Sequence, residues 1–135
     1  MFPATTNGAG ECMAFPDVCK TPAPPLPPIP IPYPNNGMLN QANNTSVKVK
    51  IVGKEAVTLK SKIPQSMGDE AGVAGGVVSG MIKGPVKFTM GSTKVKFEGQ
   101  PGIHLTSLSA HNGSNANMPA GSQIAPSQTK VMIAP

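Results

Sequence analysis

Two cysteines and two histidines are the side chains of this 135-residue sequence that are best suited to chemistry. Six residues separate Cys12 from Cys19, and six separate His104 from His111. Four ligands of these types are what a tetrahedral zinc ion requires, although the gaps are not those of a zinc finger. The sequence leaves three interpretations open: a structural zinc site on Cys19, His111, His104 and Cys12, a Cys12–Cys19 disulfide, or free cysteines with surface histidines.

A catalytic role would use Cys19 as the nucleophile and His111 as its general base. Such a pair also needs a third group that orients the histidine and donors that stabilise an oxyanion, and no motif supplies either. Acidic residues are few, and the one adjacent pair, Asp69-Glu70, is interpreted as the start of a helix or a turn. The sequence therefore predicts a protein that is not an enzyme.

The composition favours one small domain, 1–135, built from short strands and turns. Glycine (15) and proline (16) are frequent, aromatic residues make up 4% of the chain, and the apolar residues are mainly Val, Ile, Ala and Met; this profile is typical of β structure. The net charge of +5 comes from lysine, since the chain has no arginine. Nucleic-acid binding is not expected, because arginine and aromatic side chains provide much of that recognition.

Neither a membrane span nor a cleaved secretory signal is predicted. No apolar run approaches the roughly 20 residues of a membrane helix, and the first ten residues lack the basic and apolar regions of a signal peptide. We expect the protein to stay in the cytoplasm or to leave it by a route that needs no cleaved signal.

An internal repeat gives the clearest sign of architecture. Residues 46–61 and 92–107 align at a constant offset, with identical residues at Lys48/Lys94, Val49/Val95, Lys50/Lys96, Gly53/Gly99, Leu59/Leu105 and Ser61/Ser107. Each copy predicts a strand, a glycine turn and a second strand, with lysines on one side and apolar residues on the other. A weaker third copy begins at Thr129. We therefore expect a pseudo-threefold set of β units at 46–61, 87–107 and 122–135.

Proline and glycine dominate two further segments. The proline-rich part of residues 1–35 predicts extended, polyproline-like chain, and its apolar side chains suggest a strap packed along the domain. Alternatively, residues 24–27 fit the PxxP pattern, so the segment would recruit a partner to a small zinc-stabilised module. The glycine-rich residues 68–80 predict a compact excursion with at most one short helix.

Four segments together resemble the PAAR-like family, the tips of bacterial type VI secretion spikes, and most closely its Tox-PAAR-like branch. They are FPDVCKTP (15–22), PIPIPYPN (28–35), GDEAGVAGGVVSG (68–80) and VKFEGQPGIHLTSLSAHN (95–112). The tetrapeptide Pro-Ala-Ala-Arg that gives the family its name corresponds here to Pro101-Gly102-Ile103-His104. That departure places the chain with the PAAR-like group.

The resemblance implies a small cone of short β-hairpins on the blunt end of a trimeric valine–glycine-repeat spike protein, one tip per trimer. It also implies a zinc ion near the apex, with Cys19 and His111 in the two segments most similar to the family. The further partners would be an adaptor or effector protein and, transiently, a target membrane. The protein would be made in the bacterial cytoplasm and exported on the spike. Because the chain ends at Pro135, directly after its third unit, no C-terminal toxin domain is expected in it.

Overall fold

The computed structural model describes residues 1–113 and 115–135, and its regular structure is almost entirely antiparallel β-sheet. These residues form one turn of 3-10 helix, Leu39–Gln41, and thirteen strands. The strands are β1 (Phe2–Pro3), β2 (Glu11–Ala23), β3 (Leu26–Met38), β4 (Lys50–Ile51), β5 (Lys54–Glu55), β6 (Lys62–Ile63), β7 (Gly75–Gly76), β8 (Val86–Phe88), β9 (Lys96–Phe97), β10 (Gln100–Pro101), β11 (Leu108–His111), β12 (Met118–Ala125) and β13 (Met132–Ile133). The predicted mainly β class is confirmed. In this part of the chain no helix has the length and apolarity that crossing a membrane requires.

Three two-stranded sheets repeat one hairpin geometry. Strand β4 pairs with β5, β9 with β10, and β13 with β1. The residue pairs at equivalent positions are Ile51 with Lys54, Phe97 with Gln100, and Ile133 with Phe2. The first two units are the copies that the sequence repeat predicts. The third unit combines the C-terminal copy with a strand from the other end of the chain, so the first residues belong to the repeat and not to a strap.

A ring of backbone hydrogen bonds joins the three units around a common axis. The Ile103 N–H donates to the Val57 carbonyl (3.1 Å), Val57 to Thr5 (3.0 Å), and Thr5 back to Ile103 (2.8 Å), so the ring closes on itself. A second set of backbone hydrogen bonds runs around the three units in the opposite sense. In it the N–H groups of Leu59, Leu105 and Asn7 donate to the carbonyl groups of Pro101 (3.0 Å), Pro3 (2.9 Å) and Glu55 (3.0 Å), respectively. Closed rings of this kind need units related by a threefold rotation, which confirms the predicted pseudo-threefold arrangement.

The start of each unit is held by a side-chain oxygen that accepts an N–H three residues later. Ser46 Oγ accepts from Val49 (3.1 Å) and Ser92 Oγ from Val95 (2.9 Å). In the third unit Gln128 Oε1 accepts from Val131 (2.7 Å). The amide nitrogen of the same glutamine donates to the Ala4 carbonyl (2.8 Å), where Ser46 uses its backbone N–H on the Ala56 carbonyl (2.9 Å). The glutamine side chain thus makes both of the hydrogen bonds that Ser46 makes with its hydroxyl group and its backbone N–H.

The apolar core of the three units lies on their inner faces. Ile51 and Ile133 are buried there with Ala56 and Ala4, and Phe97 packs against the same cluster. Phe97 is larger than its two isoleucine equivalents, and its position is balanced by Gly102, the equivalent of the two alanines. A Cβ atom on Gly102 would lie 2.6 Å from the Phe97 ring, so the large ring and the missing methyl group compensate each other.

The proline run forms the edge strand β3 of a seven-stranded sheet. β3 pairs along β2, with Ile31 opposite Cys19. Prolines occupy every second position from Pro28 to Pro34, and proline has no N–H, so the ladder with β2 uses the residues between them. From Pro28 to Pro34 the outward positions of this edge therefore offer no N–H donors to a further strand. The sequence predicted an extended segment, but its proline period of two matches a strand within the sheet and not a polyproline strap.

A second core connects the hairpin units to this sheet. Val57 and Ile103 of the hydrogen-bond ring are buried against Leu39, Ile63 and Phe88, among others. Strand β8 pairs with β6 and β11 of the large sheet, so the second hairpin unit itself begins at about Ser92. The glycine-rich residues 68–80 contain β7, which pairs with β2, and no helix is formed there.

The Phe97–Gly102 compensation yields a stability prediction. Gly102→Ala should destabilise the protein by about 1–3 kcal/mol, because the new methyl group overlaps the Phe97 ring. In a Phe97→Ile background the same change should cost less than about 0.5 kcal/mol, since it reproduces the Ile51–Ala56 pair of the first unit. Urea unfolding of the wild type, both single variants and the double variant would measure the coupling. Equal costs in both backgrounds would contradict the threefold equivalence.

Candidate metal centre

Asp17, Cys19 and Asp69 bring three potential metal ligands together in the interior. One carboxylate oxygen from each aspartate and the thiol sulfur lie within 4.8 Å of one another, and all three side chains are fully buried. Asp17 and Cys19 are two residues apart on β2, so their side chains point to the same face of the strand. Asp69 reaches that face from the glycine-rich excursion, about fifty residues later in the chain.

Glycines allow the excursion to lie directly on β2 and β3. A Cβ atom on Gly72 would be 2.4 Å from the Cys19 Cβ. Gly68 has a φ of +115° and lies so close to β3 that a Cβ there would be 2.4 Å from the Pro34 carbonyl oxygen. Only glycine fits both positions. The glycine-rich composition therefore serves to place Asp69 beside Cys19.

The described partners of the two carboxylates are neutral groups. Asn112 Nδ2 donates to both oxygens of Asp17 (3.2 Å each), and Asn117 Nδ2 donates to one of them. Asp69 accepts from the Lys83 backbone N–H (3.0 Å) and from Asn35 Nδ2 (3.3 Å). Burial, followed by the hydrogen bond with Asp17, raises the pKa of Asp69 to about 7. A buried carboxyl group such as that of Asp69 retains its proton more readily unless a cation replaces it.

The thiol of Cys19 lies between the two carboxyl groups. Its sulfur is 3.7 Å from Asp17 Oδ1 and 3.9 Å from Asp69 Oδ2. Burial, and then the negative charges of the two aspartates, raise the pKa of Cys19 to about 12. Without a bound cation this cysteine is a protonated thiol. A divalent metal would favour the thiolate and both carboxylates simultaneously, so the donor set fits a metal ion.

His111 is hydrogen-bonded through both ring nitrogens. Nδ1 lies 2.8 Å from Asn35 Oδ1 and Nε2 lies 2.8 Å from Ser109 Oγ. Asn35 in turn donates to Asp69 and to Ser66, so the imidazole is connected to the carboxylate cluster through one amide. Burial lowers the pKa of His111 to about 4, so the ring is neutral at pH 7.

Cys12 lies at the other end of this buried network. Its thiol is hydrogen-bonded to Ser109, and burial raises its pKa to about 12. Both cysteines are free, and they are seven residues apart on the same strand. At about 3.3 Å per residue the two positions are roughly 20 Å apart, too far for a disulfide or for a shared metal ion.

His104 lies elsewhere, in the second hairpin unit. Its ring stacks on Phe2 with centroids 5.2 Å apart, and its Nδ1 is 2.6 Å from the Leu105 carbonyl oxygen. The structure therefore distributes the four sequence-predicted ligands over the metal cluster (Cys19), the adjoining network (His111 and Cys12) and the hairpin units (His104). The candidate that the geometry supports is Cys19 with Asp17 and Asp69.

The two aspartates were missed for different reasons. Asp17 has a signal that is visible in the sequence, because it shares a strand face with Cys19. Asp69 was interpreted as the start of a helix or turn, and only the folding of the glycine-rich excursion back onto β2 brings it to the cysteine. Both residues lie within the segments that carry the family resemblance.

The arrangement does not support catalysis. Ser109, His111 and Asn35 have the order of a nucleophile, a base and an orienting group, but all three are fully buried, so no substrate reaches them. The other pairing, Cys19 with His111, fails because the thiol is protonated and both imidazole nitrogens have other partners.

Comparison with known proteins identifies the class to which this fold and site belong. The family model "Toxin PAAR-like domain" matches residues 10–119. The chain therefore belongs to the Tox-PAAR-like family, as the sequence motifs indicated, and is associated through it with type VI secretion.

One curated relative is the DNase toxin Tse7 of Pseudomonas aeruginosa. It is 42% identical over 120 residues, which cover 84% of this chain and 30% of the relative. This chain thus corresponds to less than a third of the toxin's length. No solved structure matches the chain.

The neutral state of His111 predicts a pH dependence of stability. Between pH 6.5 and about 4 the unfolded histidine binds a proton that the folded one does not, so its contribution to stability is present above pH 6.5 and is lost as the pH falls. The loss should be on the order of 2–3 kcal/mol at pH 4. Asp69 acts in the opposite sense, because its raised pKa favours the folded state at acid pH and less so above pH 7.

Comparison of the wild type with His111→Gln isolates the histidine. The difference in unfolding free energy between the two proteins should shrink from pH 7 to pH 4, as measured by urea titration at several pH values. His104→Gln, outside the network, is the matched control. A wild-type minus His111→Gln difference that does not change with pH would show that the pKa of His111 is not lowered in the fold.

Proposed function

We propose that this chain is a tip protein that caps the trimeric spike of a type VI secretion system, with one copy on each trimer. The observation that carries the proposal is the closed ring of backbone hydrogen bonds among Thr5, Val57 and Ile103. A single chain facing three identical subunits needs three similar faces, and the ring provides them. The partner would be the valine–glycine-repeat spike protein, and the complex would be exported towards a target cell.

The same domain would deliver an effector. The DNase toxin Tse7 is more than three times as long as the part that matches this chain, so the matching part is a delivery module in this proposal. A toxin or adaptor would be attached to the domain or bound by it. The domain itself supplies position and rigidity, and no chemical step.

A structural zinc ion on Asp17, Cys19 and Asp69 would stabilise the tip. Thiolate and carboxylate are both zinc ligands. Asn112, Asn117 and Asn35 already donate to the two carboxylates, which is the supporting shell that a metal site requires. The ion would cross-link β2 to the glycine-rich excursion and neutralise two buried charges.

The capping proposal predicts the composition of a complex. Mixed with a spike trimer, the protein should elute as a complex of one chain to three spike subunits, with its mass measured by light scattering. A stable complex with three chains on three subunits would contradict the proposal.

The zinc proposal predicts metal content and thermal stability together. The purified protein should contain about one zinc per chain, and chelation at pH 8 should lower the melting temperature by at least about 5 °C, because two buried carboxylates lose their cation. Cys19→Ser and Asp69→Asn should lose the metal. Cys12→Ala should retain it, since Cys12 lies far from the cluster. A metal-free protein whose melting temperature does not respond to zinc would rule the site out.

A further inference from the structure

The pseudo-threefold equivalence gives the lysines of the hairpin units a regular arrangement. Superposing the units by their strand registers places Lys48, Lys94 and Lys130 at one equivalent position. All three are exposed. Each of them is followed by a valine (Val49, Val95 and Val131) and comes just before the strand of its unit, Lys50–Ile51, Lys96–Phe97 or Met132–Ile133.

This position is distinctive among the exposed positions of the units. Two positions further along, the three units carry Lys50, Lys96 and Met132. At the position that follows the first strand, they carry Val52, Glu98 and Ala134. At the lysine position alone do all three units carry the same exposed side chain. Packing does not require this identity, because an exposed position accepts most polar residues.

The charge around these lysines is only slightly offset by acidic groups. Glu55 accepts hydrogen bonds from Thr45 and Asn7. Glu98, in the turn of the second unit, accepts the backbone N–H groups of Val47 and Lys48 (3.3 and 2.9 Å). The Glu98 carboxylate thus lies close to Lys48, and the residues equivalent to Glu98 in the other two units, Val52 and Ala134, are not acidic.

We propose that Lys48, Lys94 and Lys130 form a threefold docking ring that pairs with acidic side chains repeated once per subunit of a threefold-symmetric partner. The reason is that three identical subunits meet the same chemistry only at positions that the single chain repeats three times. The proposal rests on the proposed capping function and adds the chemistry of the partner surface. The ring would also orient the two proteins as they approach each other. Attraction between opposite charges speeds association and disfavours orientations in which the charges do not face each other.

The test compares two variants with the same net charge. The ring variant changes Lys48, Lys94 and Lys130 to Gln, and the control variant changes Lys20, Lys60 and Lys62, which are exposed but not related by the threefold. Each lowers the net charge from +5 to +2. The affinity of each full chain for the spike trimer is measured by titration calorimetry at 50 and 300 mM NaCl, with melting temperatures as a check on folding.

The ring variant should bind about 20-fold more weakly at low salt, and its affinity should depend little on salt, whereas the control should bind within about 3-fold of the wild type. Single changes at Lys94 and Lys130 should weaken binding equally, by about 3-fold, and the change at Lys48 by less, because Glu98 lies beside it.

Equal effects of the ring and control variants on trimer binding would overturn the docking ring while leaving the capping function intact. A wild-type chain that does not bind the trimer at all would overturn both. If the ring variant bound the trimer normally but lost binding to phosphatidylglycerol vesicles, the lysines would serve a lipid surface and the proposal would be wrong.

Discussion

The backbone hydrogen bonds that join Thr5, Val57 and Ile103 set the constraint on which the rest of the chain depends. Each two-stranded unit is too short to be stable alone, and its buried N–H and carbonyl groups need partners. The ring supplies those partners from the neighbouring units, so all three must be present together. Val57 and Ile103 also belong to the second core, which transmits this requirement to the seven-stranded sheet.

The interior solves two different packing problems. Around the threefold axis, apolar side chains pack together and the backbone groups of the three units hydrogen-bond to one another. Beside β2, by contrast, a buried network runs from Cys12 through Ser109, His111 and Asn35 to the carboxylates. Such networks fix one geometry because every member needs its partner. The three hairpin units thus follow the threefold symmetry, whereas the polar network beside β2 does not.

The three units of the threefold arrangement were visible in the sequence to different degrees. The first two copies share residues at fixed spacing, because local strand alternation and the glycine turn determine them. The third copy was weak for two physical reasons: Gln128 replaces a serine by using a longer side chain, and the partner strand Phe2–Pro3 comes from the far end of the chain. Likewise, the Asp17–Cys19 face follows from strand period, whereas Asp69 depends on long-range folding.

The third unit has an open corner where the other two have tight turns. Val52-Gly53 and Glu98-Gly99 close their hairpins, while Ile133 and Phe2 are paired without a covalent link between them. Anything joined to either end of the domain leaves from this corner alone. A partner with three identical subunits would then have one subunit beside the departing chain and two beside closed turns. A protein attached to either end of the domain would therefore lie on one side of the threefold axis. Its attachment would make the three otherwise identical subunits of the partner distinguishable.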